Sequence, residues 1–123
     1  LRGRRMTRSR DQLRSEFAWK VVEGVPAPKR EEFQRIAVGA PAMIMSNGLM
    51  QSLAYYETKG AKTLVGAVCR WLAEHVWRGD NARGEFPVVM TRLQGLSSDD
   101  FMLATEETLE LLRWVRQFAK AVR

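Results

Sequence analysis

Met43-Ile44-Met45-Ser46-Asn47-Gly48-Leu49-Met50-Gln51-Ser52-Leu53-Ala54-Tyr55-Tyr56 is the stretch that decides the fold. An apolar pattern at helical spacing runs up to Asn47-Gly48 and restarts at once with Leu49, Leu53 and Tyr56. Asn and Gly tolerate left-handed backbone angles, which suits a helix C-cap here. Asn-Gly is also a hairpin signal, but the flanking residues do not alternate, so strands are rejected. The stretch reads as two buried helices joined by a very tight corner, with almost no catalytic chemistry in it.

Upstream, Lys29 to Ser46 forms the first of these helices, with Phe33, Ile36, Ala37, Ala40 and Ile44 recurring at three and four. Pro41 lies inside the pattern. It removes a backbone donor and crowds the carbonyl four residues back, which predicts a kink near Ala37 or a short break. Before it, Thr7 to Glu23 reads as a helix with Leu13, Phe17, Ala18, Val21 and Val22 on one face, ended by Gly24-Val25-Pro26-Ala27-Pro28. Downstream, the second helix of the corner runs from Leu49 to Thr58.

Ala61 to Arg78 is a further helix, striped by Leu64, Val65, Val68, Leu72 and Val76 and widened by Trp71 and Trp77. A polar loop, Gly79 to Gly84, leads to a short segment from Phe86 to Leu96 with Pro87 in its first turn. The last helix is capped by Ser97 or Ser98, and Asp99 and Asp100 complement its positive end. Its face runs through Phe101, Ala104, Thr105, Thr108, Leu111, Leu112, Val115, Phe118, Ala119 and Val122. The fold class is all-α: a single compact helical bundle of about five to six helices.

The 123 residues suit one domain, with 46% hydrophobic and 28% charged residues. No uncharged run approaches the roughly 18–20 residues that span a bilayer, and no secretory leader is visible, so a cytoplasmic protein is expected. Leu1 to Arg5 read as vector-derived residues before a natural start at Met6, leaving residues 6–123 as the domain. The formal charge is +6. Setting aside Arg2, Arg4 and Arg5 from the 20 basic residues leaves 17 against 14 acidic, a net of +3.

Catalytic and metal chemistry find little support. Glu106, Glu107 and Glu110 form the one dense carboxylate group and read as a solvated helix face, with Glu110 placed to pair with Arg113. A di-metal bundle would need Glu-x-x-His motifs on core faces, and the chain has none. His75 reads as a helix C-terminal histidine, and the single cysteine, Cys69, as a buried inert thiol. No phosphate-binding loop is present. The expectation is no enzyme, no metal, no cofactor and no small-molecule substrate.

A helix-turn-helix over Ala37 to Lys59 would present Leu49, Met50, Leu53, Ala54, Tyr55 and Tyr56 as its recognition helix. Only Gln51 and Ser52 could read bases. Trp19, Trp114 and Tyr55 lie at the margins of their stripes, either as peripheral core or as anchors of a protein interface. Met43, Met45 and Met50 fit adaptable packing or a contact surface.

Two separated segments together resemble a known family. One is Ile44-Met45-Ser46-Asn47-Gly48-Leu49 through Leu53-Ala54-Tyr55-Tyr56, with Lys59 shortly after. The other is Ala104-Thr105-Glu106-Glu107-Thr108-Leu109-Glu110-Leu111-Leu112-Arg113-Trp114-Val115-Arg116-Gln117-Phe118-Ala119. Together they resemble the small all-helical fifth subunit of the Cmr complex, the type III-B CRISPR effector, over most of the chain from about Met6. The resemblance implies a non-catalytic scaffold that stacks along the filament carrying the guide RNA. Its partners would be the other effector subunits, the guide RNA and the target RNA, held through a basic surface without sequence preference. By clustering, Lys59, Lys62, Arg70, Arg113, Arg116 and Lys120 are the candidate RNA-contacting residues. A net charge near +3 implies weak binding by the chain alone. The alternatives are a helical protein–protein adaptor and a DNA-binding regulator.

Overall fold

The computed structural model describes residues 8–78 and 83–122. Leu1 to Arg5, Met6, Thr7, residues 79–82 of the polar loop and Arg123 lie outside the described residues. Six α-helices and no strand occur among those described: α1 Arg10–Glu23, α2 Arg30–Asn47, α3 Leu49–Thr58, α4 Lys62–Trp71, α5 Phe86–Gln94 and α6 Ser98–Ala121. A short 3₁₀ turn, Ala27–Lys29, precedes α2, and a π-helical segment, Leu72–Trp77, extends α4.

Local chemistry sets the ends. The α1 helix starts at Arg10, where Ser9 and Gln12 form a reciprocal cap; the start expected at Thr7 lies outside the described residues. The Gln12 N–H donates to Ser9 Oγ at 3.1 Å and the Ser9 N–H to Gln12 Oε1 at 2.8 Å. Ser97 caps α6 by accepting the Asp100 N–H at 3.2 Å.

The corner is tighter than a left-handed C-cap. Asn47 stays helical, and Gly48 alone makes the turn at φ 87°, ψ 162°. Its N–H donates to Ile44 O at 2.8 Å and its carbonyl accepts the Ser52 N–H at 3.1 Å. One residue thus closes α2 and opens α3. That region of backbone space is essentially open only to glycine.

Of the kink or short break expected at Pro41, the break does not occur: α2 is continuous from Arg30 to Asn47. A proline inside a helix costs about 3 kcal/mol. Here tertiary packing offsets it, because Phe33, Ala37, Ala40 and Ile44 are buried along the length of α2, which packs on α6. Small side chains at Ala37, Ala40 and Ala104, each 0% exposed, line that core.

The helix expected over Ala61–Arg78 changes character after Trp71. The Arg78 N–H reaches back five residues to Ala73 O at 3.2 Å, and Arg78 itself is left-handed at φ 51°. Across this segment the His75 ring stacks on Trp71, with centroids 4.4 Å apart.

Glu107 departs most from its sequence reading. It is 7% exposed and not solvated. Its Oε2 accepts Arg14 Nη2 at 2.7 Å, and its Oε1 accepts Arg14 Nε at 3.2 Å and Trp71 Nε1 at 3.1 Å. Arg10 Nε stands 3.7 Å from Oε2. The carboxylate thereby ties α6 to α1 and α4. Burial pushes its pKa up, but the Arg14 and Trp71 hydrogen bonds and the charges of Arg14 and Arg10 outweigh that and hold it below its ordinary 4.5. By contrast, Glu106 is exposed, and Glu110 pairs with Arg113 at 3.2 Å as expected.

Two outcomes are expected in denaturant titrations. Gly48→Ala meets open space around the new methyl, so it costs only the backbone strain, about 1–3 kcal/mol, with an unchanged slope. Glu107→Gln leaves Arg14 facing a neutral group and costs about 2–3 kcal/mol at pH 7. Because the folded pKa is depressed, the ionic contribution is present above pH 4.5 and is lost as pH falls through the lower folded value. The gap between wild type and E107Q therefore shrinks as unfolding is repeated from pH 7 down to pH 3.

Candidate nucleic-acid interface

The six basic residues singled out from sequence fall into separate places. Lys59 and Lys62 come together at the α3–α4 corner. The Lys59 N–H closes α3 on Tyr55 O at 3.0 Å, and its ammonium lies 5.6 Å from the Tyr55 ring centroid. Gly60, at φ 82°, turns the chain so that Lys62 opens α4. Lys62 Nζ pairs with Glu57 Oε2 at 2.8 Å. Both lysines line a cleft of about 110 Å³, joined there by Lys29 and Glu32 over Phe33 and Leu64. Lys29 was not legible as a member, because it sits before α2, with the whole of α2 and α3 between it and Lys59.

Arg113 and Arg116 share a shallow groove with Asp11, Glu110, Trp114 and Gln117. Two carboxylates there offset two guanidinium groups. Asp11 accepts the Trp114 indole N–H at 3.0 Å and pairs with Arg14. That indole hydrogen bond first, and then Arg14, hold the Asp11 carboxyl below the usual carboxylate range. Arg116 is half-buried, its Nε sequestered with no hydrogen-bond partner among the described residues. Lys120 is exposed in the last turn of α6. Arg70 stands apart from both groups. Its guanidinium carbon lies 5.6 Å from the Phe17 ring centroid on α1, and its backbone is covered by Gly84, where a Cβ would come within 3.1 Å of Arg70 Cα.

A further basic group was invisible along the chain. Arg8 and Arg10, at the start of α1, meet His75 and Arg78, at the end of the π segment, around Leu13 in a depression of about 240 Å³. Arg10 Nη1 donates to the His75 carbonyl at 3.2 Å across a sequence separation of 65. No spacing rule connects residues so far apart.

The aromatic margins divide. Trp114 is tied between α6 and α1, its ring 5.5 Å from Phe118. Trp19 and Tyr55 stay half-exposed, and Tyr56 turns into the core. In α3, Leu49, Ser52 and Leu53 are all buried, so the helix is part of the core and leaves Gln51 as its exposed polar residue near the corner. A recognition helix laid in a major groove would need that face free.

His75 and Cys69 are engaged in packing. His75 lies flat on Trp71 and edge-on to Phe17, the latter with centroids 5.7 Å apart. Cys69 is fully buried, and burial, reinforced by the Glu57 charge, pushes its thiol up to about 12. Among the described residues, no group of three or more His, Cys, Asp or Glu could hold a metal ion. No described helix is long and apolar enough to cross a membrane.

The family model for a CRISPR-associated protein (Cas_Cmr5) matches residues 10–122, from the first residue of α1 to the residue after α6.

Cys69 gives a direct check on the packing at the centre of α4. A thiol at about 12 is protonated at pH 8. A chromogenic disulfide reagent should leave the native protein unlabelled at pH 8 and label one thiol per chain once denaturant unfolds it.

Proposed function

The chain belongs to the Cmr5 family of CRISPR-associated proteins, and from that membership we propose that it is a non-catalytic structural subunit of the type III-B effector complex. In this reading it stacks along the backbone filament in the cytoplasm and helps hold the guide RNA–target RNA duplex through basic side chains that contact phosphates. Its partners are the other effector subunits and the two RNAs. The domain responsible runs from Met6 onward.

The observation that carries the proposal is the family match along the whole six-helix bundle. The surface chemistry supports it. Phosphate contacts carry no sequence information directly, so they need exposed cations and not a built reading head. Lys59, Lys62, Arg113 and Lys120 are exposed, and Lys29 joins the first two over one cleft. Several of these cations are paired with carboxylates at the surface, as Lys62 is with Glu57 and Arg113 with Glu110. Such exposed pairs are worth about 0–1 kcal/mol, so an approaching phosphate exchanges one partner for another at little cost.

The test is a tagged pull-down from native cells, with protein and RNA both analysed. Co-purification with other effector subunits and a short RNA of defined length is expected. Reversing the charge of Lys59, Lys62, Arg70, Arg113, Arg116 and Lys120 should then reduce RNA retention by the assembled complex. Recovery of the chain with protein partners and no RNA would replace this reading with a protein–protein adaptor. Unchanged retention by the six-fold variant would remove the RNA-contact role from those side chains.

A further inference from the structure

The depression between the start of α1 and the end of the π segment differs in kind from the other basic places on this surface. It is lined by Arg8, Arg10, Leu13, His75 and Arg78, with no carboxylate. The Lys29–Lys59–Lys62 cleft includes Glu32, and the Arg113–Arg116 groove includes Asp11 and Glu110. Arg8 and Arg10 have carboxylates just outside their lining, Glu16 at 2.6 Å and Glu107 at 3.7 Å, whereas Arg78 makes no ion pair among the described residues.

The cations are also held in position. The Ser9–Gln12 cap fixes the chain between Arg8 and Arg10. Arg10 is braced from two sides, by the His75 carbonyl at 3.2 Å and by Glu107 at 3.7 Å. Glu107 itself is taken up chiefly by Arg14 and Trp71. Arg8 Nη2 donates to Glu16 at 2.6 Å, which leaves its other N–H groups free to point elsewhere.

Arg78 supplies a second, independent indication. It is the one non-glycine residue at positive φ among those described, at φ 51°, ψ 39°. Glycine would take that conformation without penalty. Instead the chain places a long cation there, and Arg78 makes no ion pair among the described residues. It follows a π segment, a departure from α geometry found frequently at functional sites. Backbone strain and a cation with no ion pair among the described residues coincide at one residue on the rim of one basic depression.

A guanidinium offers forked donors that match the oxygens of a phosphate. Three of them around about 240 Å³ suit a single tetrahedral anion and are too confined for a drug-sized organic ligand. We infer that Arg8, Arg10 and Arg78 form a binding site for one backbone phosphodiester of the RNA. The inference rests on the RNA-holding role proposed above and adds a binding point that the six sequence-derived residues do not include.

The test uses the assembled effector complex carrying Arg8→Gln with Arg78→Gln, and a target RNA with a 5′-hydroxyl end. Both side chains are exposed, so assembly should be retained. Affinity for the target should fall roughly tenfold, and the slope of log K against log salt should drop by ~0.7–0.9 for each phosphate that the variant no longer neutralises. Arg78→Gly, which relaxes the backbone, should weaken binding without lowering the melting temperature. Wild-type affinity and slope in R8Q/R78Q, with the six-fold variant still defective, would overturn this site and leave the broader reading standing. Wild-type behaviour of both variants would remove both. Failure of R8Q/R78Q to assemble would assign the surface to a protein partner, and a defect seen only with 5′-phosphorylated RNA would assign it to a terminal phosphate. Either result would overturn a backbone site.

Discussion

A single buried carboxylate organises the bundle. Glu107 projects from α6 into the space between α1 and α4 and receives Arg14 through two N–H groups and Trp71 through its indole. Burying a carboxylate without partners would cost several kcal/mol. Here both oxygens face donors, and Arg14 is itself mostly buried, so the ionised form is favoured. The consequence is geometric. Trp71, 0% exposed, is fixed at the end of α4, and Phe17 and His75 pack on it, centroids 5.3 Å and 4.4 Å away. The turn that follows widens to the π form and delivers Arg78 beside Arg10. A polar contact in the interior thus places cations on the surface.

The remaining architecture follows from close approach. The α6 helix packs along both α1 and α2, and small residues on the facing stripes let the helices come near. That packing carries α2 past Pro41 without interruption. The Gly48 corner then turns the chain from α2 into α3, and the apolar residues on both sides of it enter one core. Cys69, Leu72 and Trp71 lie at the centre, each 0% exposed.

The surface is charged in two ways. Many bases have an acidic neighbour, as in Lys62–Glu57, Arg113–Glu110 and Arg83–Glu85. These pairs keep the net charge modest and leave the cations available for exchange. Arg8 and Arg10 likewise have acidic partners, Glu16 and Glu107, and Arg78 is the member of their depression with no ion pair among the described residues. Net charge alone therefore understates what one patch can attract, because the field that a phosphate meets is set by the nearest groups within about 8–10 Å.

Helical periodicity in the sequence was enough to specify the all-α class, the order of the helices, the corner at Gly48 and the core stripes of α4 and α6. These depend on spacing within one element, where a side chain's neighbours lie three and four residues away. The same spacing held a signal that composition obscured: Glu107 lies three residues after Ala104 and four before Leu111, and Arg14 lies four before Ala18, so both charges fall on core faces. Their type suggested solvent, and their register pointed inward. The cap formed by Ser9 and Gln12 was likewise written locally. What only the tertiary structure decided is which faces meet. The continuity of α2 through Pro41, the π turn after Trp71, the pairing of Arg14 with Glu107 and the convergence of Arg8, Arg10 and Arg78 each depend on residues from different helices. Such contacts arise from packing between elements distant in sequence, for which periodicity within any one of them carries no information.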